Sequence, residues 1–400
     1  MKGGRQLLVG VPVLMWCIGL DAQPDPLNDW QIIARSPMEL RGLAHKDGTF
    51  VGVAYGTNIV VSTNAGLNWF LVPIGLPGFR GAMAVTEGAG QFVAVGWSGN
   101  IVTSRDGLQW RQARGGMQTP FEEFWAVTYA GGRFVAVGFQ SYTNYGAIAA
   151  TSTDGIDWEK FTLPFETTPR NVAYGNGVYV AAGLLISMYS TNGRDWTPLT
   201  NVLAQSIAFG GGQFLAATST DQPGYRSSNG VDWTEIALPG SRYYGNYYTA
   251  TYANGMFIIG GFCNECPNEN RPSLLATSRD GQQWTLHVFG AEENIGPIRD
   301  IVFVDGRFYL GDSWGGKIWK SGRTPLITRP AITRVSRNDG RTSLSFSTVP
   351  GFRYSVESID RLDSPAWALC LGPFFATGDQ LTVSDPSPPD PLRFYRVRSE

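Results

Sequence analysis

Four hundred residues with 43% hydrophobic content can bury a substantial core. Fifty glycines, 13% aromatic residues and only 16% charged residues suit many short strands and tight turns, and exclude a largely helical or disordered chain. A formal net charge of −2 leaves no broad basic surface, so no nucleic-acid partner is expected.

The first stretch reads as a secretory signal. Lys2 and Arg5 make a basic start, Leu7 to Leu20 is an apolar run too short for an ordinary membrane span, and Ala22 offers a cleavage end. Loss of residues 1–22 would leave a secreted, periplasmic or cell-surface protein with no membrane span. Cys17 follows Trp16, where a lipoprotein signal needs a small residue, so a lipid anchor is not expected. The bland alternative is an uncleaved amphipathic anchor.

Seven segments then repeat one pattern: AHKDGTFVGV, TEGAGQFVAVG, YAGGRFVAVG, YGNGVYVAAG, FGGGQFLAAT, YANGMFIIGG and FVDGRFYLGD. Each is an apolar strand, a Gly turn and a second apolar strand, which makes a β-hairpin. Their aromatic markers are Phe50, Phe92, Phe134, Tyr179, Phe214, Phe257 and Phe308, spaced by 42, 42, 45, 35, 43 and 51 residues, as propeller blades are.

A second repeat lies between the hairpins: STNAGLNW, SRDGLQW, STDGIDW, STNGRDW, SSNGVDW and SRDGQQW. In each, Asn64, Asp106, Asp154, Asn192, Asn229 or Asp280 can accept hydrogen bonds from amides just ahead, and the Gly supplies positive φ. The closing residue, Trp69, Trp110, Trp158, Trp196, Trp233 or Trp284, is expected to start a strand and bury its indole as core, with no ligand role.

These segments resemble the Asp-box, or bacterial neuraminidase repeat, of sialidases and of the propeller protein that assists photosystem II assembly. The usual box has one more residue before its Trp, and only STNAGLNW keeps that length, with Asn64 in place of Asp. The resemblance spans residues 26 to 323. It implies a sialidase-like propeller whose boxes are structural and far from any active centre, and relatives of the assembly type bind a protein partner.

Seven hairpins meet only six boxes, because the chain after Lys320 reads SGRTPL. NDWQIIARS, ahead of the first hairpin, looks like the missing Trp and outer strand, so Trp30 is expected to complete the last blade. The expected fold is therefore all-β: a seven-bladed β-propeller over 23–324, closed by an N-terminal strand, then a small β-sandwich over 325–400. A miscounted repeat would give six or eight blades. ITRVSRND, TSLSFSTV, FRYSVES, AWALCLG, QLTVSDP and RFYRVRS supply six strands of the sandwich, which resembles a C-terminal module of secreted bacterial proteins.

Cys263 and Cys266, in FCNEC, are expected to form a disulfide in an exported chain, with Cys370 left as a buried thiol. His45 and His287 are the only histidines, so neither a metal site nor a cofactor is expected.

Ligands of propellers usually meet the face where the innermost strands begin. Counting nine residues back from each hairpin aromatic lands there, on Arg41, Met83, Trp125, Arg170, Gln205, Tyr248 and Arg299. Arginines give planar donors for carboxylate or phosphate, and the aromatics give flat faces for sugars. Loops on the same face add Trp97, Tyr142, Tyr145, Tyr243, Tyr244 and Trp314.

This funnel points to an exported, monomeric, non-catalytic protein that binds an anionic glycan, a peptide or a protein partner. In the bland alternative, the arginines are sealed by Glu122, Glu123 and Asp300. A sialidase-like glycoside hydrolase is the catalytic alternative, because sialidases grip a carboxylate with three arginines; Glu122, Glu123 and Asp300 would then be the catalytic candidates. The Phe-Arg-Ile-Pro signature of sialidases is absent, and no motif fixes the acid or the Tyr. A structural or adhesive surface protein is the third reading. YGNGVYVAAG and FGGGQF precede no helix, so they are not phosphate loops, and GWSGN is not a nucleophile elbow.

Overall fold

The structure is a computed structural model that describes residues 27, 29–36, 38–115, 121–141, 146–219, 222–240, 245–263, 273–289, 295–313, 315–322, 332–338, 341–348, 353–359, 367–375, 380–385 and 393–399. The expected signal segment, residues 1–22, and 323–331, Tyr142, Tyr145, Tyr243, Tyr244, Cys266 and Trp314 lie outside them. Among the described residues no helix is long and apolar enough to cross a membrane.

Seven four-stranded antiparallel sheets follow one another along the chain, spanning residues 42–73 (sheet I), 82–112 (II), 122–162 (III), 169–199 (IV), 206–236 (V), 245–288 (VI) and 298–321 (VII). Sheets I to VI take their strands in plain sequential order. Sheet VII takes its fourth strand from the other end of the chain: Trp30–Arg35 pairs with Lys317–Ser321, placing Trp30 opposite Ser321. The Trp30 indole donates to the Leu27 carbonyl at 2.7 Å and meets Phe289 edge-on at 6.1 Å.

The middle strands are apolar on both faces, as in Gln91–Gly96 (QFVAVG), where every residue is buried. Such strands need cover on both sides, and neighbouring sheets supply it. Val51, Val53 and Val61 of sheet I share one cluster with Val85, Phe92 and Val102 of sheet II. Equivalent clusters join each following pair. Leu40, Leu43 and Phe50 of the first sheet then pack with Ile318, Val304 and Tyr309 of the last. Innermost strands lie side by side in the same order, and Ile298–Val304 returns against Gly42–Lys46. Burying one Phe such as Phe134 stabilises by roughly 1.5–3 kcal/mol, so the junctions between sheets carry the fold.

The turn ahead of each outer strand is built alike. Asp106 Oδ1 accepts from the amides of Leu108 and Gln109, both at 2.9 Å, and from the Ser104 hydroxyl at 2.9 Å. Ser104 Oγ in turn accepts from the Gly107 amide at 2.9 Å. Asp154, Asn192, Asn229 and Asp280 repeat this network. The amides of Asp157 and Ile156 hold the Asp154 carboxyl below its usual range. In the longer first turn, Asn64 Oδ1 accepts from the Asn68 amide at 2.9 Å and from the Ser62 hydroxyl at 3.0 Å. All six glycines have positive φ, from 70 to 83.

Two details differ from the sequence reading. In sheets I to VI the outer strand begins on the residue after the Trp, and in Trp69, Trp110, Trp196 and Trp233 the indole N–H folds back to the Gly carbonyl, at 2.8 Å for Trp110. Only Trp158 and Trp196 are fully buried; Trp69, Trp110, Trp233 and Trp284 are half-buried at the outer rim.

The turns also lock neighbouring sheets. A Cβ on Gly107 would lie 2.9 Å from Val51 of sheet I, and one on Gly193 would lie 2.7 Å from Val135 of sheet III. Gln213 of sheet V donates to the Asp280 carbonyl of sheet VI at 3.0 Å, and Gln91 donates likewise to the Asp154 carbonyl.

The six C-terminal strands form two three-stranded antiparallel sheets that share a cluster of Leu344, Phe346, Tyr354 and Val356. Cys263 is disulfide-bonded, while the expected partner, Cys266, is outside the described residues. Cys370 is free and half-buried, not fully buried as expected, because its strand is the edge of its sheet.

Candidate functional site

The innermost strands of five sheets carry an irregularity at the same place. Pairing with the second strand skips one residue at Met83, Trp125, Arg170, Tyr248 and Arg299. In sheets I and V, the amides of Arg41 and Gln205 donate to Val53 and Ala217, the residues already opposite Gly42 and Ser206. The five shifts are β-bulges, and a bulge re-aims its extra side chain out of the sheet. Counting back nine residues therefore found five bulge residues and, in Arg41 and Gln205, two that immediately precede their strands.

All seven line one cavity of about 340 Å³. Asn171, Asp300 and the hydroxyl side chains Thr86, Thr128, Thr249 and Thr251 line it as well.

The arginines lie over aromatic rings. Arg41 is 3.9 Å from the Tyr55 ring centroid, Arg299 is 4.0 Å from Tyr248, and Arg170 is 4.9 Å from Trp125. For Arg41 and Arg299, stacking fixes the guanidinium plane and leaves its edge for an in-plane acceptor. Tyr55, which the sequence reading missed, stacks in turn on Trp97 at 5.7 Å and is 40% exposed, so the ladder reaches the rim. Trp97 is at this rim and does not line the cavity. Tyr55 is five residues past Phe50, and the same step from Phe92 and Phe134 reaches Trp97 and Phe139, so forward counting would have found it.

Among the described residues neither Arg41 nor Arg299 makes an ion pair, and the Arg299 Nε is buried without a hydrogen-bond partner. Burial lowers the pKa of both, and for Arg41 the nearby charge of Arg299 adds to the lowering. Arginine starts so high that both remain cations.

None of the three acids proposed to seal the channel is ion-paired with Arg41 or Arg299 among the described residues. Glu122 does not line the cavity; Lys160 holds both its oxygens at 2.6 Å. Glu123 accepts from the Trp125 indole at 3.1 Å, and burial raises its carboxyl. Asp300 does line the cavity, but it accepts from the Leu43 amide of sheet I at 2.7 Å and from its neighbour Ile301 at 2.8 Å. It is ringed by protein, although partly exposed into the cavity, and burial raises it to about 6. Gln205 donates to Asn246 at 2.8 Å. Among the described residues no group of three or more His, Cys, Asp or Glu could hold a metal.

No protein-family model matches the chain, and no curated protein sequence is similar to it. Solved structures do resemble it. Virginiamycin B lyase from Staphylococcus aureus, a catalytically inactive variant solved with quinupristin, matches at a TM-score of 0.57 and 11% identity, over 73% of this chain and 98% of its own. The WD40 repeats of RRP9 match at 0.56 and 9%, over 74% and 98%. YCF48 from Cyanidioschyzon merolae matches at 0.51 and 13%, over 74% and 98%. The fold is that of a β-propeller, a repeat architecture. At these identities the likeness carries fold alone.

Proposed function

We propose that this is an exported, non-catalytic binding protein that takes an anionic glycan, a peptide or a partner protein into the arginine and aromatic funnel. The observation that carries this reading is the pair of cations, Arg41 and Arg299, each stacked on a ring and lining one cavity without an ion pair among the described residues. Holding desolvated charges uncompensated is unfavourable unless a ligand's charge completes the site.

The proposal includes a seven-bladed propeller over 23–324, closed by the Trp30–Arg35 strand, and a β-sandwich over 325–400. Cyclic contacts of the innermost strands and the cluster joining first and last sheets support closure. The Ser, Asp and Gly networks support Asp-box turns. Export rests on Lys2, Arg5, Leu7 to Leu20 and Ala22, and a monomer is proposed. Two of the three carboxylates a hydrolase would draw on already have structural partners in Lys160 and the Leu43 amide, which favours binding over catalysis.

The test is calorimetric binding to a panel of glycans and acidic peptides, with Arg41→Ala and Arg299→Ala alongside. A ligand lost in both variants supports the reading. Binding indifferent to both changes would sink it, and turnover of a bound glycan would replace it with the hydrolase reading.

A further inference from the structure

Main chain faces the cavity as well as side chains. In sheet II, Ala89 and Gly90 make a two-residue turn with φ of 47 and 75, so the flanking Gly88 and Gln91 form a hydrogen-bonded pair. Bonded and open pairs alternate from there, which leaves Val85 and Ala94 an open pair and sends the Val85 N–H and C=O off the free inner edge of the sheet. The same alternation opens the pairs of Val127 with Ala136 and of Val172 with Ala181 in sheets III and IV. All three valines line the cavity, and their side chains pack on the clusters between sheets, so each brings main chain and an apolar flank.

In sheet I the equivalent amide is that of Leu43, and Asp300 of sheet VII caps it at 2.7 Å. Asp300 stands eight residues before Phe308; eight before Phe50, Phe92 and Phe134 stand Gly42, Ala84 and Ala126, on the sheets that precede Val85, Val127 and Val172. A Cβ on Gly42 would lie 3.3 Å from the Val85 nitrogen, so the geometry repeats, but none of these three residues has a side-chain acceptor. Sheets II to IV thus offer the cavity uncapped main-chain donors, beside the cations Arg41 and Arg299 of sheets I and VII.

We infer that the cavity receives a peptide C-terminus, the extended tail of a partner protein, with its carboxylate between Arg41 and Arg299 and its last amides against the main chain of Val85, Val127 and Val172. This rests on the reading of the cavity as a binding site. The innermost strands of sheets VII and I lie side by side, and Arg41 feels the charge of Arg299. Two neighbouring guanidinium groups repel until one anion bridges them, and that anion also gives the buried Nε–H of Arg299 an acceptor. Their rings, Tyr55 and Tyr248, leave each an edge for a planar carboxylate, and this seat does not call on Arg170, which lies over Trp125.

A peptide end matches this lining group by group. It carries one carboxylate at its tip and, directly behind, alternating N–H and C=O groups of the kind a free strand edge pairs with. Met83 and the flanks of Leu43, Val85, Val127 and Val172 give a terminal side chain apolar contact, which a ring of sugar hydroxyls would not use. A volume of about 340 Å³ is at the small end for ligand pockets, enough for a chain end and too small for a folded loop.

The experiment titrates the full-length protein with N-acetyl tripeptides ending in Ala, Val or Leu, each as the free acid and as the C-terminal amide, with acetate and digalacturonic acid as comparators. At least one free acid should bind about tenfold tighter than its amide, about 1.4 kcal/mol, and tighter than acetate by as much. Arg41→Gln and Arg299→Gln should each bring the acid down toward the amide. Ala84→Asn supplies an acceptor for the Val127 amide, as Asp300 does for Leu43, and should weaken the peptide acid while leaving acetate unchanged. Ala126→Asn does the same for Val172, and circular dichroism and melting of each variant separate misfolding from lost contacts.

Equal affinity for acid and amide, peptide binding indifferent to both asparagine variants, or tighter binding of the sugar acid would each overturn the peptide-end inference. Acidic-glycan binding that is lost in Arg41→Gln would then keep the binding-site reading standing. Failure of the peptide acids and of acidic glycans together would overturn both.

Discussion

Asp300→Asn probes the seam between sheets VII and I. The carboxylate accepts from Leu43 at 2.7 Å and Ile301 at 2.8 Å, yet burial lifts it from 3.8 to about 6. A raised value means the folded protein keeps a proton that the unfolded chain releases. The stabilisation is therefore fully present below the unfolded value and is lost as pH rises through about 6. Two units at roughly 1.36 kcal/mol each amount to about 3 kcal/mol, an upper figure because part of the group faces the cavity. Asparagine is neutral throughout, but its amide nitrogen meets one of the two N–H donors, a loss of about 1 kcal/mol. The variant should thus be about 1 kcal/mol less stable than the parent near pH 4, and up to about 2 kcal/mol more stable near pH 8. Urea unfolding of both proteins across pH, followed by tryptophan fluorescence, gives the difference curve. Taking the difference removes carboxylates such as Asp154, whose lowered value gives the opposite slope. A variant as destabilised near pH 8 as near pH 4 would refute the argument, because the two amide bonds would then outweigh burial.

Gly107→Ala and Gly132→Ala have similar strain, with φ of 77 and 76, but a Cβ on Gly107 meets Val51 at 2.9 Å whereas nothing lies within 4 Å of one on Gly132. Both should lose about 1–2 kcal/mol from the left-handed backbone, with roughly 1–3 kcal/mol more at Gly107 from overpacking. Equal melting temperatures for the two variants would show that the turn glycine does not lock sheet II to sheet I. Deleting residues 1–36 removes the strand Trp30–Arg35 and bares the edge of Lys317–Ser321, so melting should fall and the protein should self-associate. A truncated chain that melts and elutes like the parent would contradict that role.

The repeats were legible because their causes are local. Ser104, Asp106 and Gly107 lie within four residues and satisfy one another's backbone, so the motif is visible as a spacing. The cavity residues could be counted because five inner strands bulge at the same distance from the hairpin aromatic and the other two begin there. The partners of the acids were not legible. Glu122 finds Lys160 38 residues away, and Asp300 finds Leu43 257 residues away across the seam. Contacts of that range leave no periodic trace, so a guess from local charge set these acids against the arginines.

Contrast between two positions of the same strand explains why one of them marks a site. Five residues back from each hairpin aromatic stand His45, Glu87, Tyr129, Tyr174, Phe209, Tyr252 and Phe303, mostly rings. Tyr129, Phe209 and Tyr252 each lie against a glycine of the preceding sheet, Gly88, Gly175 and Gly210, where any Cβ would come within 2.1 Å of the ring. Packing between sheets therefore dictates the residue, and the type repeats. Nine residues back the backbone is also similar, a bulge in five sheets and the residue before the strand in two, yet the side chains are Arg, Met, Trp, Arg, Gln, Tyr and Arg. Packing between sheets, which dictates a ring five residues back, therefore does not dictate the residue nine residues back, and there the proposed binding reading has to be tested side chain by side chain, starting with Arg41 and Arg299.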